Sequence, residues 1–303
     1  MTADPARYYT RSMRSLLLAF LISCSSTPAP RAAAPPAAPA KPQPLGAAER
    51  ARLQGEGLAA YERKDWPTCA AALERVEDWY DAACCRAQAR QPDPAFALLQ
   101  RAITGGFRDL KHLESDPDLQ SLHTDSRWQD AIAAIGREVA AYRARINGEL
   151  LDIYEADQGD RAGSHAKIDW AVVNPRDQAR RKRVDEILAA GGAKVADDYY
   201  HAAMVYQHGS TIAEIKRANK LALEAVAIDG SHELARWLAA ASEDRALMYD
   251  KKPQKYGTQF QKQGAVWVLY EVDPAVTDEE RASWNVPPLA VARARAARMN
   301  TQK

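Results

Sequence analysis

Residues 47–77, AAERARLQGEGLAAYERKDWPTCAAALERVE, set the helical character of the N-terminal half of this chain. Two segments rich in Ala and Leu, 47–64 and 67–77, flank the polar pair Lys64-Asp65. Pro67 stands where the first turn of a helix tolerates proline, so the stretch predicts two helices joined by a short turn. The pattern continues with predicted helices over 80–90, 94–104, 116–122 and 127–145.

The first two predicted helices, with the turn between them, carry alternating small and large residues at the spacing of a tetratricopeptide repeat. These residues are Gly57, Ala60, Trp66, Cys69, Leu73 and Val76. Downstream, Gly106-Phe107-Arg108-Asp109 and Asp116-Pro117-Asp118-Leu119 resemble the terminal part of bacterial tetratricopeptide arrays. The resemblance covers residues 47–135 and implies a helical module over 47–146. Stacked helix pairs of this kind offer a concave surface to a peptide or protein partner. The alternative is a small helical cap that supports the next domain.

The N-terminus carries the features of a secretory signal. Basic residues precede a short apolar segment, 16–22, which is too short to span a ~30 Å hydrocarbon core. The segment ends in Leu21-Ile22-Ser23-Cys24, which resembles the lipobox of bacterial lipoprotein precursors. The resemblance implies a signal peptide over 1–24 and lipidation of Cys24. It also implies anchoring in the bacterial cell envelope, with Ser25 favouring the outer membrane, facing the periplasm or the cell surface. An ordinary signal peptide with an incidental cysteine is the alternative.

Residues 25–46 hold seven of the seventeen prolines and almost no large apolar side chain. Such a segment predicts a semi-extended linker that lifts the folded part away from a membrane surface. The formal net charge of +1 argues against a nucleic-acid partner, which requires a basic face. The expected partners are therefore a membrane, through the lipid anchor, and a protein or peptide.

Three cysteines remain if Cys24 is lipidated. In an oxidising compartment Cys69 can pair with either Cys84 or Cys85, although buried thiols that pack between helices are an equal alternative. The sequence has no CxxC motif and no metal-finger spacing. We therefore expect neither a metal site nor a cofactor.

The C-terminal part, 147–303, is predicted to be a second helical domain, with helices over 148–162, 175–190, 197–207, 211–228 and 231–249. The segments 256–260 and 266–272 flank a loop at 261–264 and predict a small β-hairpin. A helix or turn at 278–282 and a tail from Leu289 follow. The fold class expected for the whole chain is therefore mainly α, with tetratricopeptide-like helix pairs and a C-terminal helical domain that carries a hairpin.

Polar residues recur in this domain at specific places: Asp157-Gln158-x-x-Arg161, Gln207-His208, Asp244-Arg245 and Gln254-x-Tyr256-Gly257-Thr258-Gln259. Together with the run 235–240 they resemble a bacterial domain of unknown function. The resemblance covers residues 149–292. It implies a mainly helical domain and no established reaction.

The residue types in this set permit acid–base chemistry. Histidine exchanges protons near neutral pH, so His208 is the candidate general base. Either Asp157 or Asp244 can orient it, and either Arg161 or Arg245 can hold a carboxylate or phosphate group.

The remaining members of the set offer neutral groups. Gln158, Gln207, Gln254, Tyr256, Thr258 and Gln259 supply hydrogen bonds suited to a carbonyl, sugar or amide, and Gly257 permits close backbone approach. The same residues can instead form a structural network, since Asp–Arg pairs often bridge helices and turns are often capped by their own side chains.

Two functions follow as hypotheses. The first is a cell-envelope lipoprotein that acts as a protein-interaction or ligand-binding module. The second is an envelope hydrolase or transferase with His208 as general base, Asp244 as a further catalytic group and Arg245 as anion clamp.

Overall fold

The computed structural model describes residues 45–162 and 168–301. The predicted signal peptide, Cys24 and residues 25–44 of the predicted linker lie outside this part of the chain. Fourteen helices and one two-stranded antiparallel sheet form the described residues, so the mainly helical fold with a small hairpin is confirmed.

The N-terminal module consists of α1 (Ala47–Glu62), α2 (Trp66–Arg75), α3 (Trp79–Gln88), α4 (Pro92–Thr104), α5 (Leu110–Ser115), a 3-10 helix (Pro117–Leu122) and α6 (Arg127–Arg143). Consecutive helices from α1 to α4 pack on one another and share a hydrophobic core with α6. The connection between α3 and α4 covers 89–91, two residues earlier than the predicted helices at 80–90 and 94–104 place it, because α4 already begins at Pro92, where proline is tolerated at the first helical position. The short helix α5 was not predicted.

A disulfide joins α2 to α3 inside this core. Cys69 and Cys85 are bonded, with their Cα atoms 6.0 Å apart, while Cys84 is a buried free thiol. Of the two pairings that the sequence left open, the structure therefore has Cys69 with Cys85. Adjacent residues of a helix point about 100° apart, so only one of Cys84 and Cys85 can face α2.

The C-terminal domain consists of α7 (Gly148–Gly159), α8 (Trp170–Ala189), α9 (Ala196–Gln207), α10 (Ile212–Ile228), α11 (Glu233–Tyr249), β1 (Phe260–Gln263), β2 (Val266–Leu269), α12 (Asp278–Ser283) and α13 (Leu289–Thr301). A second core lies among α7 to α11. The predicted C-terminal tail is in fact the helix α13, which packs on β2.

Two predicted boundaries in this domain are wrong. Helix α8 begins at Trp170 and contains Pro175, because the Asp169 side chain accepts a hydrogen bond from Ala171 N and caps an extra first turn. The hairpin pairs Gln263 with Val266, so its loop is Gly264-Ala265, half the length expected. Gly264 has φ +63°, which suits the first loop position of a two-residue hairpin.

Helices α7, α9 and α11 start at the same end of the domain. Asn147 N donates to Asp198 Oδ1 at 2.6 Å, and His232 Nε2 lies 3.2 Å from Asp197 Oδ1. Helix α10 runs antiparallel to α11, with Asn219 Nδ2 donating to Ala239 O. The carboxyl ends of α7, α9 and α11 therefore lie together at the opposite end.

None of the helices in the described residues combines the length and the apolar character that crossing a membrane requires.

Candidate functional site

The predicted site residues lie at one end of the C-terminal helix bundle. At 1.5 Å per residue, Asp157, His208 and Arg245 each lie ~15–20 Å beyond the contacts that join the starts of α7, α9 and α11. The hydrogen bonds of the predicted residues nevertheless form two separate sets within the described residues. One set surrounds Asp157 and the other surrounds Asp244.

The first set contains an aspartate–histidine pair. His208 Nδ1 lies 2.7 Å from Asp157 Oδ2, and Asp157 is fully buried while 21% of the His208 side chain is exposed. A carboxylate can only accept, so Nδ1 carries the hydrogen and the lone pair of the neutral ring is on Nε2. No hydrogen bond to Nε2 occurs within the part of the chain that the structure describes. Asp157, one of the two predicted orienting groups, therefore holds His208 through Nδ1 and leaves Nε2 without a protein hydrogen bond.

The carboxyl ends of α7 and α9 bring Asp157 and His208 together. His208 immediately follows α9 and caps its carboxyl end, and Asp157 lies in the last turn of α7. Gly209 then allows α10 to begin close by, since a Cβ at this position would lie 2.4 Å from Glu214 Cβ and 2.9 Å from Tyr206 O.

Arg161 neutralises the carboxylates of the first set. Arg161 Nη1 donates to Asp157 Oδ1 at 2.9 Å, and its Nη2 donates to Asp177 Oδ2. Gln158 Nε2 adds a hydrogen bond of 2.9 Å to Asp157 Oδ2. Arg161 is thus committed to two carboxylates, which disfavours its predicted alternative role in holding an anion. It lies just beyond the end of α7, at Gly159.

Asp177 and Arg180 belong to this network although the sequence did not indicate them. Arg180 Nη1 donates to Asp177 Oδ1 at 3.0 Å, and Arg180 Nη2 donates to Asp160 Oδ2 at 2.6 Å. Their signal was hidden in the charged run 176–183, which is typical of a solvent-exposed helix face.

The two other histidines described in this domain have no free, accessible nitrogen for proton transfer. His232 uses Nε2 toward Asp197 and accepts from Ala235 N at Nδ1. His201 is 3% exposed, and burial lowers its pKa to about 4.

The second set is a buried turn organised by Asp244. Its Oδ1 accepts from Lys255 N at 2.7 Å and from Tyr256 N at 2.9 Å. Its Oδ2 accepts from Thr258 N at 3.0 Å and from Thr258 Oγ1 at 2.8 Å. Burial raises the pKa of this carboxyl, and the same backbone hydrogen bonds oppose the shift. All these acceptor positions are used by the turn, which favours a structural role over the predicted catalytic one.

Other members of the predicted binding set complete the same turn. Gln254 is fully buried, accepts from Gln259 N at 2.8 Å and donates to Gln259 O and Tyr270 O. Gly257 has φ +88°, a backbone conformation in which a residue with a side chain would be strained. Tyr256 is buried, and its carbonyl accepts from Arg281 Nε at 3.0 Å.

Two other predicted site residues, unlike those of the Asp244 turn, have buried polar atoms without a hydrogen-bond partner. Arg245 Nε and Gln207 Oε1 are buried and make no hydrogen bond within the described residues. A buried donor or acceptor left unpaired costs ~1–3 kcal/mol, which makes such atoms typical of sites completed by a ligand or water. Arg245 thus stays a candidate for anion binding, whereas Arg161 does not.

The helical module contains one further polar cluster that the sequence analysis missed. Ligand atoms of Cys84, Asp116 and Asp118 lie within 4.8 Å of one another. Both carboxylates already accept tyrosine hydroxyls, at 2.9 Å from Tyr80 to Asp116 and 2.6 Å from Tyr61 to Asp118. Burial raises the pKa of the Cys84 thiol well above its ordinary value. The cluster therefore acts as a hydrogen-bonded link between helices.

No protein-family model matches the chain, and neither a curated protein nor a solved structure shows significant similarity to it. The chemistry of the site therefore follows from its own geometry.

Proposed function

We propose that the C-terminal domain is an acid–base enzyme of the hydrolase or transferase class, with His208 as general base. The observation that carries the proposal is the 2.7 Å contact between His208 Nδ1 and the buried Asp157 carboxylate, which leaves Nε2 free on a partly exposed ring. Many hydrolases and transferases use a general base that activates a hydroxyl or water nucleophile.

The expected mechanism uses each group in turn. His208 Nε2 accepts the proton of the attacking hydroxyl or water while the nucleophile bonds to an electrophilic carbon or phosphorus. The imidazolium that forms is stabilised by Asp157, to which Nδ1 already donates. His208 then returns the proton to the leaving group. Arg245, with its unpaired Nε, is proposed to hold an anionic group of the substrate.

The test is an activity screen of the full chain against chromogenic ester, amide, phosphate-ester and glycoside substrates. We expect turnover in the wild type and a loss of about 10²–10⁴-fold in kcat for His208→Gln, with an unchanged melting temperature. Asp157 acts as a positioning residue. Asp157→Asn should lower kcat far more than it changes KM, because the ring loses its orientation and not its substrate contacts.

The matched control is His232→Asn, which removes the other described histidine of the C-terminal domain that forms a contact with a carboxylate. Asparagine can still cap α11, so this variant should keep both fold and activity. Equal activity in wild type and His208→Gln, or no turnover on any substrate class, would contradict the proposal.

A second proposal concerns the helical module, which has a hydrophobic core of its own and exposes Leu58 and Tyr61 on α1. We propose that this module binds a protein or peptide partner of the envelope. Leu58→Ser, which leaves the hydrogen bond from Tyr61 to Asp118 in place, should weaken the capture of such partners by the full chain. Capture that is unaffected by this change would refute a site on α1.

The proposed location is the bacterial cell envelope, supported by the lipobox-like residues 21–24. Metabolic labelling with radioactive palmitate should mark the wild type and not Cys24→Ser. Equal labelling of both proteins would refute lipidation at this residue.

A further inference from the structure

A cavity in the C-terminal domain does not include the proposed catalytic pair. It is lined by α8, the end of α9 and the start of α10, has a volume of about 480 Å³ and opens widely to solvent. Three cationic side chains line it, Arg181, Lys182 and Arg217.

The two carboxylates that line the cavity are already used. Glu214 Oε1 lies 2.7 Å from Arg181 Nε, and Glu214 Oε2 accepts the backbone N–H groups of Ser210 and Thr211 at 2.9 and 3.0 Å. Asp185 Oδ1 accepts from Arg217 Nη2 at 3.4 Å. Lys182 has no ion-pair partner among the described residues. The cavity therefore keeps an excess of positive charge.

Arg181 gives the cavity a fixed guanidinium. It is only 8% exposed, Glu214 holds its Nε, and its backbone carbonyl accepts from Tyr206 OH at 3.3 Å. Its Nη1 is buried and has no acceptor within the described residues. The planar guanidinium matches the oxygen geometry of carboxylates and phosphates, so an oxyanion would supply the missing acceptor.

We infer that this cavity binds a small molecule that bears an oxyanion, either a carboxylate or a phosphate ester. Arg181, Lys182 and Arg217 provide the contacts. The inference does not depend on catalysis by His208, because neither His208 nor Asp157 lines the cavity.

The test is isothermal titration calorimetry of the full chain with inorganic phosphate and with acetate, at an ionic strength held constant with sodium chloride. We expect saturable binding of one equivalent of at least one of the two anions. Hydrogen bonds to charged groups contribute ~1.5–3 kcal/mol, so Arg217→Gln and Lys182→Gln should each weaken binding by about tenfold or more. The anion that binds with the higher affinity identifies the ligand class.

The matched control is Lys216→Gln, which removes the same charge from an exposed position of α10 outside the cavity lining. It should bind like the wild type. Arg181→Lys keeps the charge and removes the planar fork, so it should also bind weakly. If it fails to fold, Lys182→Gln and Arg217→Gln still test the inference.

Three results would overturn the inference. The first is the absence of saturable binding for both anions. The second is equal weakening by Lys216→Gln and Arg217→Gln, which would indicate nonspecific attraction. The third is loss of anion binding in His208→Gln, because the anion would then occupy the catalytic pair and not this cavity.

Discussion

Replacing Asp244 with alanine separates a structural role from a catalytic one. The substitution removes the acceptor of three backbone N–H groups, those of Lys255, Tyr256 and Thr258, and of the Thr258 hydroxyl. The N–H of Tyr256 lies in buried surroundings, and that of Thr258 in partly buried ones.

The expected cost follows from those unpaired groups. At ~1–3 kcal/mol for each buried donor, the buried N–H of Tyr256 and the partly buried N–H groups of Lys255 and Thr258 together give a loss of about 4 kcal/mol in the free energy of unfolding. A change of 1 kcal/mol shifts the melting temperature of a 150–250-residue unit by ~2–4 °C, so Asp244→Ala should melt about 8–16 °C lower. Differential scanning calorimetry of the full chain measures this shift.

Glu243→Ala is the control, since it removes the neighbouring carboxylate. Glu243 forms a partly exposed ion pair with Lys255, which contributes about 1 kcal/mol. This variant should melt within a few degrees of the wild type. The structural account of Asp244 would be refuted if Asp244→Ala melted like the wild type, and loss of turnover in such a variant would restore the predicted catalytic role.

Three further predictions test other parts of the structure. Cys69→Ser combined with Cys85→Ser opens a loop of sequence separation 16 and should lower the free energy of unfolding in urea by about 3 kcal/mol, whereas mild reduction should not change this double variant further. The folded pKa of His201, about 4, is below its ordinary value of 6.5, so the unfolded chain binds the proton more readily and stability falls as pH falls from 6.5 to 4. This loss amounts to about 3 kcal/mol and should be absent in His201→Phe when urea unfolding is compared at pH 7 and pH 4. Gly257→Ala should cost about 1–2 kcal/mol through its left-handed backbone, while Gly148→Ala, at an open position, should be nearly neutral in the same unfolding assay.

The helical fold was largely predictable because local patterns produce it. Alternating small and apolar residues and the Pro67 turn indicated α1 and α2 without any long-range information. The first turn of α8 was missed because Pro175 is a strong helix-start signal, and the cap at Asp169 competes with it. Helix α13 was missed because its Ala- and Arg-rich sequence lacks a clear apolar stripe.

The composition of the candidate site was predictable, but the roles of its residues were not. The sequence offered both Asp157 and Asp244 as partners of His208, since spacing along a chain does not show which helix ends meet. The 2.7 Å contact between His208 Nδ1 and Asp157 Oδ2 fixes that choice in three dimensions. Arg161 and Arg245 were likewise equivalent by residue type. Only the positions of Asp157 and Asp177 show that Arg161 is already neutralised.

The central claim is that His208, oriented by Asp157, performs proton transfer. The most direct measurement is kcat of wild type, His208→Gln and His232→Asn on the best substrate of the screen, with melting temperatures recorded for all three. The structure predicts a fall of about 10²–10⁴-fold in kcat for His208→Gln alone, with all three proteins melting alike. Unchanged kcat in His208→Gln, or an equal fall in His232→Asn, would contradict it.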